Sequence, residues 1–302
     1  RMSDFATVIG GAIKLASGYS MPMIGLGTSG IREAKPMEEA VESALASGYR
    51  LFDTAHGYRN EALLGAALQT GLGKHGIARA DVFVTTKVPM KNDEMATVTR
   101  EMLDQSLRDL QLEYIDLVLI HYPRHLIGGG SDDDPINSEK RRLVYGILEE
   151  YVAAGKIRSI GVSNYEIYHL LELPQYAKVP CSVNQCEYHP HHTQSQLRAY
   201  CKQQGIFFQA YASLCSGDDA ILNEAVVCEL AAKHGVDKQN ILLSFALHTG
   251  VGVLPKSTNA QRVANNFRNT VAVKLADDEL TSLLKLDKRQ TYVGLCTPWR
   301  TL

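Results

Sequence analysis

The sequence lacks long apolar runs: none reaches the roughly 18 residues that a helix needs to cross a lipid bilayer. It also lacks an excess of charge of either sign, since the formal net charge is −2 over 302 residues. A balanced charge gives no electrostatic reason to bind nucleic acid or an anionic membrane surface. We therefore expect a protein that binds neither of them.

The six cysteines lack any C-x-x-C pair, and their spacing is not typical of structural zinc. In a chain of this length they are expected to be reduced thiols. The first residues also lack the charged and then apolar pattern of a secretory signal. Together these absences predict a cytoplasmic protein.

One short segment, His189-Pro-His191-His192, suggests a metal site. Adjacent histidines point in different directions, however, and no carboxylate–histidine spacing of a known metal site surrounds them. We therefore predict that the protein holds no metal.

Short apolar segments alternate with longer amphipathic ones along the chain, and hydrophobic residues make up 45% of it, enough for a large core. Eight segments are candidate strands, and several of them are almost wholly apolar, as burial on both faces of a parallel sheet requires. They are residues 23–26, 50–54, 82–87, 115–121, 157–163, 182–185, 207–211 and 252–255. The segments between them have helical spacing, and nothing resembles a linker. This pattern predicts a single (β/α)8 TIM barrel domain over residues 1–302.

Two segments lie outside the strand–helix repeat. Residues 6–17, around Gly10-Gly11, predict an N-terminal β-hairpin that caps the bottom of the barrel. Residues 275–286 predict a last surface helix, and the chain after Leu286 has no clear period. We therefore expect a long C-terminal loop.

Ionisable residues end three neighbouring strands: Asp53 the second, Lys87 the third and His121 the fourth, and Tyr58 follows Asp53 by five positions. Taken singly, each residue also has a purely structural interpretation. Lys87 is typical of a solvated strand end, His121 of a hydrogen-bonded core histidine, and Asp53 of a helix cap. Because function collects at the C-terminal ends of barrel strands, their joint placement favours an active site.

The chain resembles the aldo-keto reductases from end to end. The motifs, in family order, are Gly25-Leu-Gly-Thr28, Asp53-Thr-Ala-x-x-Tyr58-x-Asn60-Glu61, Val84-Thr-Thr-Lys87, Asp116-Leu-x-Leu-Ile-His121, Ile160-Gly-Val-Ser163-Asn164, Asn184-Gln185 and Leu254-Pro-Lys256-Ser257. Each motif is weak alone, but seven in order at barrel spacing are specific.

The resemblance implies reduction of aldehydes or ketones by hydride transfer from NADPH, whose chemistry belongs to the cofactor. Tyr58 would donate a proton to the carbonyl oxygen, and the charge of Lys87 would make Tyr58 a stronger acid. Asp53 would hold Lys87 charged and aimed. His121 would hydrogen-bond the substrate oxygen and orient it for transfer.

The resemblance also implies the cofactor contacts. Ser163, Asn164 and Gln185 would bind the nicotinamide carboxamide, and Tyr211 would stack on the nicotinamide ring. Lys256, Ser257 and Arg262 would bind the 2′-phosphate, and Asn266 would lie near the adenine. The other implied cofactor contacts are Gly27, Thr28, Asp53 and Leu214. Two cations and a hydroxyl suit a phosphate, and no acidic residue stands there to prefer a bare ribose. We therefore expect NADPH rather than NADH.

The predicted substrate contacts depart from the family pattern. Ser29 and Tyr122 stand where many members have tryptophan, and Trp299, the only tryptophan, lies in the tail that closes over the substrate in this family. These residues predict a wide, polar pocket for a small-molecule carbonyl compound of unidentified structure. Because nothing indicates a large apolar interface helix, we expect a monomer or weak oligomer.

Two alternatives remain at this stage. The first is a non-catalytic nicotinamide-sensing or structural protein on the same barrel, although such a site has no need for Lys87 beside Tyr58. Gly25-x-Gly27-x-x-Gly30 after a strand also fits the dinucleotide fingerprint of a Rossmann-type dehydrogenase. Against it, Pro36 rather than Gly30 suits the start of the next helix, and the repeat leaves no separate substrate domain.

Overall fold

The computed structural model describes residues 10–91, 94–125, 134–294 and 298–301, without the side chain of Trp299. The strands in these ranges are β1 (Ala12–Lys14), β2 (Ser20–Pro22), β3 (Leu26–Gly27), β4 (Leu51–Asp53), β5 (Phe83–Val88), β6 (Ile115–Ile120), β7 (Ile157–Ser163), β8 (Val183–Glu187), β9 (Phe207–Tyr211) and β10 (Gly252–Val253).

The helices in the same ranges are α1 (Ala34–Ser47), α2 (Glu61–His75), α3 (Met95–Leu110), α4 (Ile136–Ala153), α5 (Ile167–Leu170), α6 (Leu173–Tyr176), α7 (Ser195–Gln203), α8 (Asp219–Leu222), α9 (Ala225–His234), α10 (Lys238–His248), α11 (Ala260–Ala272) and α12 (Asp277–Leu284). None of the described helices has the length and apolar character to span a membrane.

Strands β3 to β10 form one parallel sheet in which each strand pairs with its neighbour in the sequence. The sheet closes on itself, because Gly25 N–H donates to Val253 O at 2.9 Å and Val253 N–H donates to Met23 O at 2.8 Å. The predicted (β/α)8 barrel is therefore confirmed, and the alternative of an open Rossmann sheet is wrong.

Gly25 and Gly27 serve this closure. A β-carbon at Gly25 would lie 2.5 Å from Leu51 Cγ, and one at Gly27 would lie 2.9 Å from Leu254 O. A larger residue at Gly25 would push the first strand away from both Leu51 and Leu254, and one at Gly27 would push it away from the Leu254 backbone. Strand packing thus requires Gly25 and Gly27 of the pattern that resembles a dinucleotide fingerprint, whereas Gly30 has a left-handed φ of +80°.

Two apolar cores hold the barrel together. The larger lies between the strands and the surrounding helices, and the smaller lies inside the barrel, where Leu51, Phe83 and Leu117 pack together. Leu15 and Met21 of the N-terminal hairpin belong to the inner core. The hairpin therefore fills the bottom of the barrel with apolar side chains.

The hairpin is present, but the predicted span of residues 6–17 was wrong, and residues 6–9 lie outside the described part of the chain. The hairpin runs from β1 to β2 and turns at residues 15–19, where Leu15 N–H donates to Tyr19 O at 2.8 Å. Gly18, at φ +88°, supplies the left-handed residue of this turn. Gly10-Gly11 precedes β1 and does not form the turn.

Two glycines of α2 allow a matched test of helix packing. A β-carbon at Gly65 would overlap the backbone of Asp109 and Leu110 at the end of α3, whereas one at Gly73 would meet nothing within 4 Å. Gly65→Ala should lower the free energy of unfolding by about 1–3 kcal/mol through overpacking. Gly73→Ala should raise it by about 0.5–1 kcal/mol. Urea unfolding measures both, and equal effects would contradict the close packing of α2 on α3.

Candidate active site

The four ionisable residues meet at one edge of the barrel. Asp53 ends β4, Lys87 lies near the end of β5, and His121 directly follows β6. Tyr58 ends a single turn of 3-10 helix, His56–Tyr58, between β4 and α2. The Lys87 ammonium lies 5.2 Å from the centre of the Tyr58 ring, and the Tyr58 and His121 rings meet edge to face at 5.7 Å.

Lys87 and Asp53 form a buried ion pair. Lys87 Nζ donates to Asp53 Oδ1 at 2.5 Å and to Thr54 O at 2.9 Å, and Lys87 is only 1% exposed. Burial alone would lower the pKa of Lys87, but the Asp53 carboxylate and the Tyr58 phenol outweigh it, so the pKa is raised. A charged ammonium is therefore held beside the Tyr58 ring.

His121 is held as a neutral imidazole. Burial first and the positive charge of Lys87 second lower the pKa of His121 to about 3. Its ring stacks on that of Tyr122 with centres 4.8 Å apart. A neutral imidazole has one N–H to donate, which suits a hydrogen bond to an uncharged oxygen.

Asn60 fixes the turn that carries the tyrosine. Its Nδ2 donates to Thr28 O and Ile31 O, both at 2.9 Å, and its Oδ1 accepts from Thr54 Oγ1 at 2.7 Å. Thr28 in turn donates its backbone N–H and its hydroxyl to Asp53 O, at 3.0 and 2.9 Å. The end of β4 is thus bound to the loops on both sides of it.

A second hydrogen-bonded group lies beside His121. Asn164 Nδ2 donates to His121 O at 2.9 Å and to Ser163 Oγ at 3.1 Å, and the Tyr211 hydroxyl donates to Asn164 Oδ1 at 2.6 Å. Ser163 Oγ donates to Gln185 O at 2.7 Å. The predicted contacts of the nicotinamide carboxamide therefore form one cluster with the four ionisable residues at this edge.

Gln209 was missed by the sequence analysis. Gln185 Nε2 donates to Asp53 Oδ2 at 2.9 Å and to Gln209 Oε1 at 2.8 Å, which uses both of its hydrogens. Gln209 is completely buried, and its Nε2 has no hydrogen-bond partner in the described part of the chain. A polar residue inside an otherwise apolar strand was the signal that could have revealed it.

The predicted phosphate contacts gather at the start of α11. Lys256 and Arg262 are exposed, whereas Ser257 and Asn266 are buried. Asn259 caps the helix, because its Oδ1 accepts from Arg262 N at 2.9 Å and its N–H donates to Ser257 Oγ at 3.1 Å. Two cationic side chains thus flank a helix N-terminus, which favours anions.

The remaining predicted contacts are less closely grouped. Gly27 lies in β3 at the same edge, and Leu214 follows β9 and packs against the outer core. Ser29 is exposed at the rim after β3, and Tyr122 is buried against His121. The side chain of Trp299 lies outside the described part, so its predicted role stays a prediction.

No group of His, Cys, Asp and Glu among the described residues is arranged to hold a metal ion. His189 and His191 of the histidine-rich segment are instead bound to carboxylates, with Nε2–oxygen distances of 3.0 Å to Glu187 and 2.8 Å to Glu224.

Comparison with known proteins gives one consistent family. A model of the Aldo/keto reductase family matches residues 23–218. Glyoxal reductase of Bacillus subtilis is 35% identical, covering 91% of this chain and 92% of its own. The NAD(P)H-dependent D-xylose reductase of Scheffersomyces stipitis is 32% identical, covering 91% and 94%.

Solved structures agree with these relatives. An aldo-keto reductase from a Medee basin deep-sea metagenome library superimposes with a TM-score of 0.82 at 33% identity, covering 93% of this chain and 96% of its own. The aldose reductase of Schistosoma japonicum gives a TM-score of 0.83 at 29% identity, covering 93% of each chain.

The neutral state of His121 is directly testable. Ring nitrogen signals from NMR, assigned with the His121→Asn variant, should show a neutral imidazole at pH 5. Since the pKa of an unfolded histidine is about 6.5, the folded chain binds this proton more weakly. The contribution to stability is therefore fully present above about pH 6.5 and is lost as the pH falls toward 3. Titration of His121 near pH 6.5 would contradict the buried, neutral assignment.

Proposed function

The chain belongs to the aldo/keto reductase family, and we propose that it reduces aldehydes or ketones to alcohols with NADPH as the hydride donor. One observation carries the proposal: a buried Lys87–Asp53 pair lies beside the Tyr58 ring, next to a neutral His121. A buried ion pair contributes little net stability, and perturbed ionisable groups cluster at functional sites, so this arrangement favours an active site over a non-catalytic barrel.

In the proposed reaction the carbonyl oxygen lies between Tyr58 and His121. His121 donates its N–H to that oxygen and orients the carbonyl group. NADPH held by these residues would supply the hydride for the carbonyl carbon, and the Tyr58 hydroxyl would donate the proton to the oxygen. The Lys87 ammonium stabilises the negative charge left on the phenol oxygen, and Asp53 keeps that ammonium in place.

The residues at the edge fit a nicotinamide. Because Gln185 commits both amide hydrogens to Asp53 and Gln209, its oxygen is the group it offers to the carboxamide N–H. Ser163 and Asn164 supply hydroxyl and amide groups beside it. The ring of Tyr211 is half-buried and anchored through its hydroxyl, which suits stacking against an aromatic face.

The residues at the start of α11 fit the 2′-phosphate at the adenosine end of NADPH. Lys256 and Arg262 flank the start of α11 with Ser257 between them, and no acidic residue occurs anywhere in residues 254–276. In the Rossmann fold a carboxylate binds the ribose hydroxyl of NADH, and this segment has no carboxylate. These features support NADPH over NADH, with Asn266 near the adenine.

The proposal also covers the domain extent, the substrate contacts, the cellular location and the oligomeric state. The barrel strands begin at Leu26 and end at Val253, which supports one barrel domain over residues 1–302. Ser29, Tyr122 and Trp299 would border a small-molecule carbonyl substrate. The described cysteines are free thiols, which supports a cytoplasmic location. We also propose that the protein is a monomer or a weak oligomer.

Removing the proposed proton donor tests the mechanism. Tyr58→Phe should lower kcat for carbonyl reduction by about 10²–10⁴-fold, the usual contribution of a general acid, while the Kd for NADPH stays unchanged. Tyr145→Phe is the control, because its hydroxyl bonds Val179 O in the outer layer. Preserved turnover in Tyr58→Phe would overturn the assignment.

Removing two cations tests the cofactor assignment. Lys256→Ala with Arg262→Ala should weaken NADPH binding by about 100-fold, since each charge-assisted hydrogen bond contributes about 1.5 kcal/mol or more. NADH, without the phosphate, should lose little. Arg268→Ala with Lys274→Ala is the control, because it removes one exposed charge from the C-terminal half of α11 and one just after its end. Equal losses for NADPH and NADH in the first variant would contradict the 2′-phosphate site.

A further inference from the structure

Glu61 belongs to the sequence motif that carries Tyr58, yet the proposed reaction gives it no task. It is the first residue of α2 and is 4% exposed. A carboxylate removed from water is costly unless charges or hydrogen bonds compensate for the lost hydration. The start of a helix favours a negative charge and supplies part of this compensation. The rest comes from side chains of other elements.

Each carboxylate oxygen of Glu61 accepts a hydroxyl from a different element. Thr86 Oγ1 on β5 donates to Oε1 at 2.6 Å, and Ser106 Oγ on α3 donates to Oε2 at 3.0 Å. Both hydroxyl residues are completely buried. A charged acceptor makes such bonds stronger than a neutral one does. The carboxylate therefore binds the start of α2 to β5 and to α3.

Ser106 reaches Glu61 where α2 and α3 pack closely. Gly65 lies one turn after Glu61 on the same face of α2, and a β-carbon there would overlap the backbone of Asp109 at the end of α3. The bond to Ser106 thus belongs to the packing of two helices. The bond to Thr86 is the one that reaches the edge of the barrel where the ionisable residues meet.

Thr86 is the neighbour of Lys87 on β5, and successive side chains of a strand point to opposite faces. Lys87 bonds Asp53 inside the barrel, so Thr86 faces the helices, where it bonds Glu61. Glu61 therefore holds β5 from outside, one residue away from the buried ammonium.

The turn that carries Tyr58 leads directly into Glu61. Only Arg59, with a left-handed φ of +57°, and Asn60 lie between them. Asn60 binds the turn to the loop after β3, and Glu61 binds it to β5. His56, the first residue of the turn, also has its Nδ1 within 3.6 Å of Glu61 Oε2. The turn is thus held from both sides.

We propose that Glu61 is a positioning residue for proton transfer: through Thr86 it fixes the turn that carries Tyr58 against the strand that carries Lys87. Its carboxylate lies on the helix side of β5, away from the proposed substrate and cofactor positions. The inference rests on the proposed carbonyl reduction. The effect of an ammonium falls with distance, so a shifted turn weakens stabilisation of the transition state and leaves binding of the ground state intact.

Thr86→Val tests the link by removing the hydroxyl that bonds Glu61. We expect kcat for reduction of 4-nitrobenzaldehyde by NADPH to fall about tenfold, since a misplacement of about 1 Å can cost about 100-fold. KM and the Kd for NADPH should change by less than about twofold, because binding does not use this bond. Thr86→Ser retains a hydroxyl and should keep kcat within about twofold of the unaltered protein.

Glu61→Gln approaches the same bond from the other partner. It keeps the size of the side chain but offers a neutral acceptor, so kcat should fall by about threefold, less than in Thr86→Val. The double variant should be no slower than Thr86→Val alone, because both changes act on one bond.

The matched control is Thr99→Val. Thr99 is completely buried on α3, and its hydroxyl has no hydrogen-bond partner in the described part of the chain. This variant also exchanges a buried threonine for valine, so it should leave kcat unchanged if the loss in Thr86→Val comes from the bond to Glu61.

Hydrogen exchange followed by mass spectrometry gives a readout that needs no substrate. Within the turn, Tyr58 N–H donates to Ala55 O at 2.9 Å and Arg59 N–H donates to His56 O at 3.2 Å. A turn released from β5 opens more often. We therefore expect residues 55–60 to exchange about fivefold faster in Thr86→Val than in the control.

The outcomes separate the two proposals. If the unaltered protein reduces no carbonyl compound, the proposed function fails and the role in proton transfer falls with it, while exchange still shows whether Glu61 holds the turn. If turnover is present and Thr86→Val keeps its kcat, or Thr86→Ser loses as much as Thr86→Val, the positioning role is overturned. Equal exchange in Thr86→Val and the control would overturn the attachment of the turn.

Discussion

The pairing of a buried ammonium with a buried carboxylate is the constraint on which the rest of the site depends. Lys87 and Asp53 are 1% and 4% exposed, and removing either charge from water is costly unless the other neutralises it. The pair exists only because β4 and β5 are adjacent and parallel, which brings their C-terminal ends to the same edge. The closed barrel excludes water and thus makes the Lys87 charge strong where it faces Tyr58.

Asp53 also joins parts of the site that are far apart in the chain. Its Oδ1 accepts from Lys87 on β5, its Oδ2 from Gln185 on β8, and its backbone oxygen from Thr28 after β3. Gln185 then bonds Gln209 on β9. The Asp53 carboxylate therefore fixes both Lys87, which lies beside the proposed proton donor, and Gln185, the proposed carboxamide contact. The two side chains are thus held at a fixed position relative to each other.

The sequence predicted the barrel and the edge where its polar residues meet, because short apolar runs reveal which segments are buried strands and in what order they follow. Asp53, Lys87 and His121 each end an apolar run, and parallel strands place such ends together. The hairpin was misplaced because Gly10-Gly11 and Gly18 are both plausible turn signals, and only packing of Leu15 and Met21 inside the barrel decides between them. Gln209 and Glu187 were missed because their partners are distant in sequence.

The histidine-rich segment shows most clearly what local pattern leaves open. Its residues suggested a metal, and spacing argued against one, but nothing local indicated that His191 binds Tyr292, 101 positions away. The fold therefore separates two tasks. The proposed reaction depends on side chains held by strand ends, whereas the segment after α12 is held in place by hydrogen bonds to Glu187 and His191. Because the two sets of contacts share no residue, the segment after α12 can change while the Lys87–Asp53 pair stays intact.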